Sequence, residues 1–253
     1  MPLSDASFPD LAAAVQRVAA LEAENAMLRQ SLAEAELGSR RMLHELRHRT
    51  RNTLAVVRSI AYRTAKTSDT IDDYAMHLTG RLDAVARAET LISYDPQGGA
   101  CLDSLLLEEL LAHAIAEGDQ VSLSGPLVRL RGKAVETLAL AIHELTVNAV
   151  EHGALSTREG RITVTWRIEP ALLEGENVGR TQAGRVLRLE WRETSNFLSD
   201  VSARPRGFGM EMIERTLPYD LGAEVSLRFD SAGVCCDVAV PLTDEIVEAG
   251  PCL

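Results

Sequence analysis

AIHELTVNAVEHGAL, residues 141–155, decides how the C-terminal part of this chain is read. It closes an apolar-periodic segment, residues 134–150, that predicts a long helix. Glu144 and Asn148 stand four apart and therefore share one face of that helix, while apolar residues fill the opposite positions. One side is rich in oxygen and the other is packed. An Asn carbonyl is a hard ligand suited to Mg²⁺, which keeps several waters and is shared with substrate phosphates. A neighbouring Glu can hold one of those waters or polarise a nucleophile. Either residue alone would be an ordinary polar position on an amphipathic helix, so the stretch draws its meaning from what surrounds it.

Toward the C-terminus, strands are expected at 161–168 and 186–191, a helix at about 209–217, and a hairpin from 224–229 and 234–241 around the turn at 230–233. The polar segment 169–185 reads as a flexible excursion between strands. Arg206-Gly207-Phe208-Gly209-Met210 opens the expected helix, where glycines let a backbone approach closely and exposed amides suit phosphate. Toward the N-terminus, residues 103–116 predict a helix capped by Asp103, followed by strands at 121–124 and near 128–130. Helices grouped apart from antiparallel strands suggest a two-layer α/β domain.

A second stretch, MLHELRHRTRN at residues 42–52, admits two readings. His44-Glu45-Leu46-Arg47-His48 fits the HExxH spacing of zinc peptidases, but no xxGxxH continuation follows and the apolar face of the helix is committed to packing. The alternative is a helix that presents His48 as a nucleophile, since neutral imidazole is competent near pH 7. Arg47, Arg49 and Arg51 surround it, either as solvated charges or as supports for a phosphoryl group.

Apolar positions also recur in steps of three and four at Leu11, Ala14, Val18, Leu21, Leu28, Leu32 and Ala35, with Asn25 in the seam. This heptad pattern runs without a strong breaker toward residue 65, Gly38 being the weak point. Thr67, Ser68 and Asp69 supply a turn and cap for a second amphipathic helix, 71–92, and the two make a helical hairpin that would form a four-helix bundle in a dimer. The turn formers at 94–99 mark a boundary. The division is residues 1–40, an N-terminal coiled-coil or signal helix; 41–95, a helical hairpin; and 100–246, an α/β domain.

At 253 residues with a net charge of −11, the chain can bury a core but lacks the basic surface that nucleic acid or an anionic membrane requires. The first ten residues lack the regions of a signal peptide, and no apolar run approaches the ~20 residues of a membrane span. The four cysteines show no CxxC pair and no evident disulfide framework. A soluble, cytoplasmic, reducing setting is expected.

In order along the chain, HRTRN, HELTVNAVEHGALS, Leu189-Glu190-Trp191-Arg192-Glu193, then GFG with Met212-Ile213-Glu214-Arg215 and Leu221-Gly222-Ala223 resemble the HWE family of bacterial histidine kinases. The resemblance covers roughly residues 43–242 and includes the family's naming His, here His143, and its Trp-x-Glu, here Trp191 and Glu193. It implies a dimeric histidine-phosphotransfer bundle followed by a Bergerat-type (GHKL) α/β sandwich that binds ATP and Mg²⁺. It further implies that His48 is the phosphoacceptor and that Asn148 ligates the Mg²⁺, with Glu144 alongside it. Glu193 would read the adenine amino group, while Gly207, Phe208 and Gly209 line the phosphates. His152, one turn beyond Asn148, is within reach of phosphate. The implied partners are a response-regulator receiver domain, a second copy in parallel, and an upstream sensor. Where the family continues with a Gly-Gly-Pro-like turn, this chain has Thr194-Ser195-Asn196, which leaves a phosphotransfer adaptor or receiver phosphatase with a degenerate ATP site as the alternative function. A serine kinase of the anti-sigma-factor type shares the helix pattern of 141–155 but not HRTRN.

A buried Asn in a heptad seam costs stability and favours two strands. Asn25→Val is therefore expected to raise the thermal stability of the helix pair while loosening its two-stranded preference. Light scattering that finds both proteins monomeric would remove the coiled-coil reading.

Overall fold

The computed structural model describes residues 8–95, 98–113, 115, 118, 120–170, 184–194, 207–230, 233–244 and 246–248. Internal contacts divide the chain into two compact units, Met1–Ser59 and Ile60–Leu253. The first is a stretch of helix α1, Phe8–Thr67, in which Gly38 causes no break. A single interior glycine costs a helix only about 1 kcal/mol relative to alanine, too little to end one this long. Val18, Leu21, Leu28 and Leu32 of the heptad seam are all more than half exposed on the single chain.

In the second unit the last turns of α1 are followed by α2, Ile71–Tyr94. Its N-cap is Thr70, one residue beyond the expected 67–69: the Thr70 hydroxyl accepts from the Asp73 amide at 3.1 Å and donates to the Asp73 carboxylate at 2.6 Å. Next come β1 (Gly99–Cys101), α3 (Leu102–Ala112), β2 (Val121–Ser124), β3 (Val128–Arg131), α4 (Gly132–Glu151), a 3₁₀ turn at Ala154–Ser156, β4 (Arg161–Pro170) and β5 (Arg185–Thr194). The chain ends with α5 (Phe208–Glu211), a π-helical turn at Met212–Thr216, α6 (Leu217–Leu221), β6 (Glu224–Asp230), β7 (Gly233–Pro241) and β8 (Ile246–Glu248). Gly222 ends α6 in the left-handed region at φ +63°, where a side chain would be strained.

Five strands form one sheet in the order β2-β4-β5-β7-β6, and β1-β3-β8 form a second. β2 runs parallel to β4, a departure from the all-antiparallel expectation, because α4 and β3 intervene between them as a crossover. Along β5 of the larger sheet buried and less buried residues alternate. Val164, Trp191 and Cys236 lie side by side on its buried face, as do Trp166, Leu189 and Val238. The other face carries a lattice of ion pairs, with Arg188 to Glu169 at 3.0 Å, Arg192 to Glu190 at 2.9 Å and Arg228 to Asp237 at 2.6 Å. Helix α4, buried on nearly all sides, packs with α2 and α3 and completes a helices-on-sheet sandwich.

Further expectations change. Asp103 lies inside the first turn of α3 rather than capping it, and α3 ends at Ala112 rather than 116. The strands β1 and β8 have three residues each, too few for a period to show in sequence. Cys101 is disulfide-bonded, whereas Cys235 and Cys236 are free and buried. The Cys236 thiol is pushed up to about 12 by burial and by the neighbouring Asp237, so it is inert at neutral pH. The expected excursion at 169–185 lies mostly outside the described residues.

A polar network ties α2, α3 and α4 together. Glu109 Oε1 lies 2.7 Å from His143 Nδ1 and 3.4 Å from His113 Nε2, while Arg87 binds Oε2 at 2.6 Å. Burial pushes the Glu109 carboxyl up, but its bonds to His143 and Arg87 together outweigh this and hold it below the ordinary value of 4.5. Burial also lowers His113 below its ordinary 6.5, opposed in part by Glu109. Both depressed groups bind protons less readily in the folded chain than in the unfolded one, so both contribute stability at high pH that is lost on acidification. Denaturant unfolding is expected to show stability falling as pH drops below 6.5 through the His113 range and then further below 4.5. His113→Gln should flatten the first part of that decline.

Candidate functional site

The second unit contains a cavity of about 420 Å³ lined by residues from α2, α4, β5 and α5. It brings together Glu144, Asn148, His152, Glu193, Gly207, Phe208 and Gly209, residues far apart in sequence. His48 lies in the first unit, exposed on α1, with the Asn52 carboxamide 3.4 Å from its Nδ1 one turn along the same helix.

At one end of the cavity Glu193 is almost wholly buried. Its Oε1 accepts from the Trp191 indole N–H at 3.1 Å and its Oε2 from the Ala154 amide at 3.0 Å. A Cβ at position 153 would lie 2.1 Å from Oε2, so only glycine there leaves the carboxylate its place. Asn148 is exposed and His152 forms the C-cap of α4. A Cβ at position 209 would meet Glu144 Oε2 at 2.9 Å and the Asn148 amide nitrogen at 3.3 Å, so glycine allows α5 to approach both. Leu145, Ile213, Leu227 and Val234 add apolar walls.

Glu144 does not stand open. Arg81 of α2 grips it with two bonds, Nε to Oε1 at 2.8 Å and Nη2 to Oε2 at 3.2 Å, and donates from Nη1 to Thr64 Oγ1 at 2.8 Å. The guanidinium also lies 3.8 Å from the centre of the Phe208 ring. Sequence reading missed Arg81. The available signal was its position on the apolar side of α2, three residues after Leu78 and four before Val85, where an unpaired Arg would be expensive.

The donor set fits a nucleotide with Mg²⁺: a buried acceptor for a base, apolar walls, glycines beside the mouth and a hard oxygen at Asn148. The HExxH alternative gains nothing. Among the described residues the one cluster with metal-ligand atoms close together is Glu109, His113 and His143, and neither His44 nor His48 belongs to it. That cluster satisfies itself through the 2.7 Å Glu109–His143 bond and the Arg87 ion pair.

The α/β part is a two-layer sandwich of helices on a five-stranded sheet. Residues 45–127 match the model of the HWE histidine kinase family. The blue-light-activated histidine kinase of Brucella abortus is 28% identical over 213 residues, covering 84% of this chain and 41% of that protein. Its counterpart in Rhizobium johnstonii is 28% identical over 206 residues, covering 81% and 54%. This chain thus spans about half the length of these relatives. Among solved structures, the Erythrobacter litoralis EL346 blue-light activated histidine kinase aligns with 77% of this chain and 60% of its own at 17% identity, with a TM-score of 0.48.

The Arg81–Glu144 pair is buried on both sides, so removing one partner strands a charge. Arg81→Met is expected to lower stability by about 3–5 kcal/mol, and Arg81→Met with Glu144→Leu to recover most of it. Urea unfolding of the two variants checks this.

Proposed function

We propose that this chain is an ATP-dependent protein-histidine kinase that phosphorylates itself on His48 and passes the phosphoryl group to an Asp of a response-regulator receiver domain. The observation that carries this reading is the convergence of Glu144, Asn148, Glu193, Gly207 and Gly209 on one cavity. In it Glu193 receives the adenine amino group, Asn148 supplies an oxygen to the Mg²⁺, and the backbone around Gly207 and Gly209 borders the phosphates. Bound Mg²⁺ neutralises phosphate charge, and the chain's own task is then positioning. Glu144 is held by Arg81 at the cavity wall, where it acts beside Asn148. The Asn52 carboxamide nitrogen lies 3.4 Å from His48 Nδ1; the tautomer that carries its ring proton on Nδ1 presents the lone pair of Nε2 to solvent. That nitrogen bonds to the γ-phosphorus as the bond to the departing ADP oxygen breaks, and the ring proton at Nδ1 is then lost to solvent.

A parallel homodimer through the heptad seam would cover the exposed apolar stripe of α1, and an upstream sensor protein or segment would act through that helix. We place the protein in the cytoplasm. No helix among the described residues is long and apolar enough to cross a membrane, although the Cys101 disulfide pulls against a fully reducing compartment. The Thr194-Ser195-Asn196 departure falls largely outside the described residues, Thr194 being the last residue of β5.

The purified protein is to be incubated with Mg²⁺ and γ-labelled ATP beside His48→Ala and Asn148→Ala variants. An acid-labile, alkali-stable label on the wild type, absent from both variants, is the expected result. A folded wild type that binds ATP yet takes no label, but accepts phosphate from a phosphorylated receiver, would replace the kinase with the phosphotransfer adaptor.

A further inference from the structure

We infer that Trp191 is a positioning residue for nucleobase choice: its indole N–H and the Ala154 amide together lock the Glu193 carboxylate as a fixed hydrogen-bond acceptor. The inference rests on the ATP-site reading above and deepens it. Residues 191 and 193 are two apart on β5, so their side chains leave the same face of the sheet, and both are buried. The indole nitrogen reaches Oε1 at 3.1 Å and the Ala154 amide reaches Oε2 at 3.0 Å. Both groups can only donate. They come from unlike places, one a side chain of the sheet and the other the backbone after α4, so the carboxylate is anchored at each oxygen from a different element. Gly153 clears the space that Oε2 fills.

A carboxylate held in this way offers the cavity only lone pairs in a fixed direction. A base edge with an exocyclic amino group, as in adenine, is matched by it. A base with a carbonyl oxygen at that place, as in guanine, would set acceptor against acceptor. Selection depends on the carboxylate being unable to turn aside. The spacing Trp-x-Glu then has a physical cause, because the side chain two residues away on a strand is the nearest same-face neighbour that a buried carboxylate can lean on.

The test measures displacement of a ribose-labelled fluorescent ADP by unlabelled ATP and by GTP, each with Mg²⁺, in the full chain and in Trp191→Phe. Phenylalanine keeps most of the packing against Val164 and Cys236 but donates nothing. Losing a hydrogen bond to a charged group is expected to weaken ATP about tenfold while leaving GTP within about twofold, so the preference for ATP falls about tenfold. A merely structural role would weaken both nucleotides alike or neither, and either outcome overturns the inference. Should Trp191→Phe fail to fold by thermal melting, Ala154→Pro removes the other donor outside the sheet core, at the first position of a 3₁₀ turn where proline is tolerated, and the same fall in preference is expected. A wild type that binds neither nucleotide defeats the ATP-site reading and this inference with it. A wild type that prefers ATP, with the preference intact in the folded variant, defeats this inference alone.

Discussion

A carboxylate buried inside a protein has to be neutralised, and the need to neutralise Glu144 organises much of the second unit. Isolated, the charge would be prohibitively expensive. Arg81 meets it with a two-bonded fork, and the fork in turn places a third N–H on Thr64 and its flat face on Phe208. Four elements, α1, α2, α4 and α5, are therefore held at one point by a single side chain. The hairpin side of the unit and the cavity side are electrostatically one structure, and a shift of α2 along its axis would be felt first at Glu144.

The same helix pair is reinforced a few residues further on. Gly80, beside Arg81, brings α2 so close to α4 that a Cβ there would lie 3.2 Å from the His143 ring, and His143 passes the contact to Glu109 and Arg87. The two neighbouring residues His143 and Glu144 thus face two different partners from one turn of α4. Their adjacency in HELTVN is a record of that double contact rather than of one shared role.

Much of this was legible beforehand because it is periodic. The 3.6-residue repeat placed α2 and α4 within two residues of their observed ends, and the alternation of strands 161–168 and 186–191 located β4 and β5, which each continue a few residues further. Glu144 and Asn148 were legible because they share a helix face, and Gly207 and Gly209 because they punctuate a helix start, whereas Glu193 came into view only through the family resemblance. What escaped was whatever depends on tertiary proximity alone. Arg81 shows its place on the apolar side of α2 but nothing in the sequence names its partner, the Ala154 amide has no side-chain signature at all, and the Cys101 disulfide leaves no spacing rule to find. The parallel pairing of β2 with β4 escaped for a related reason, because a four-residue strand carries no mark of its direction.

The π-helical turn at Met212–Thr216 has a further meaning for this wall of the cavity. A π turn is what results when one residue is added to an α-helix without changing what precedes or follows it. Each residue in an α-helix turns the chain by about 100°, so the extra one sets the phase between Phe208 and Gly209 on one side and Leu217 on the other. In regular α-helix, Leu217 could keep its buried place only with Phe208 swung off the Arg81 guanidinium. The wall is thus indexed by residue count: the length of the segment 212–216, as much as its composition, determines which face of α5 meets the cavity.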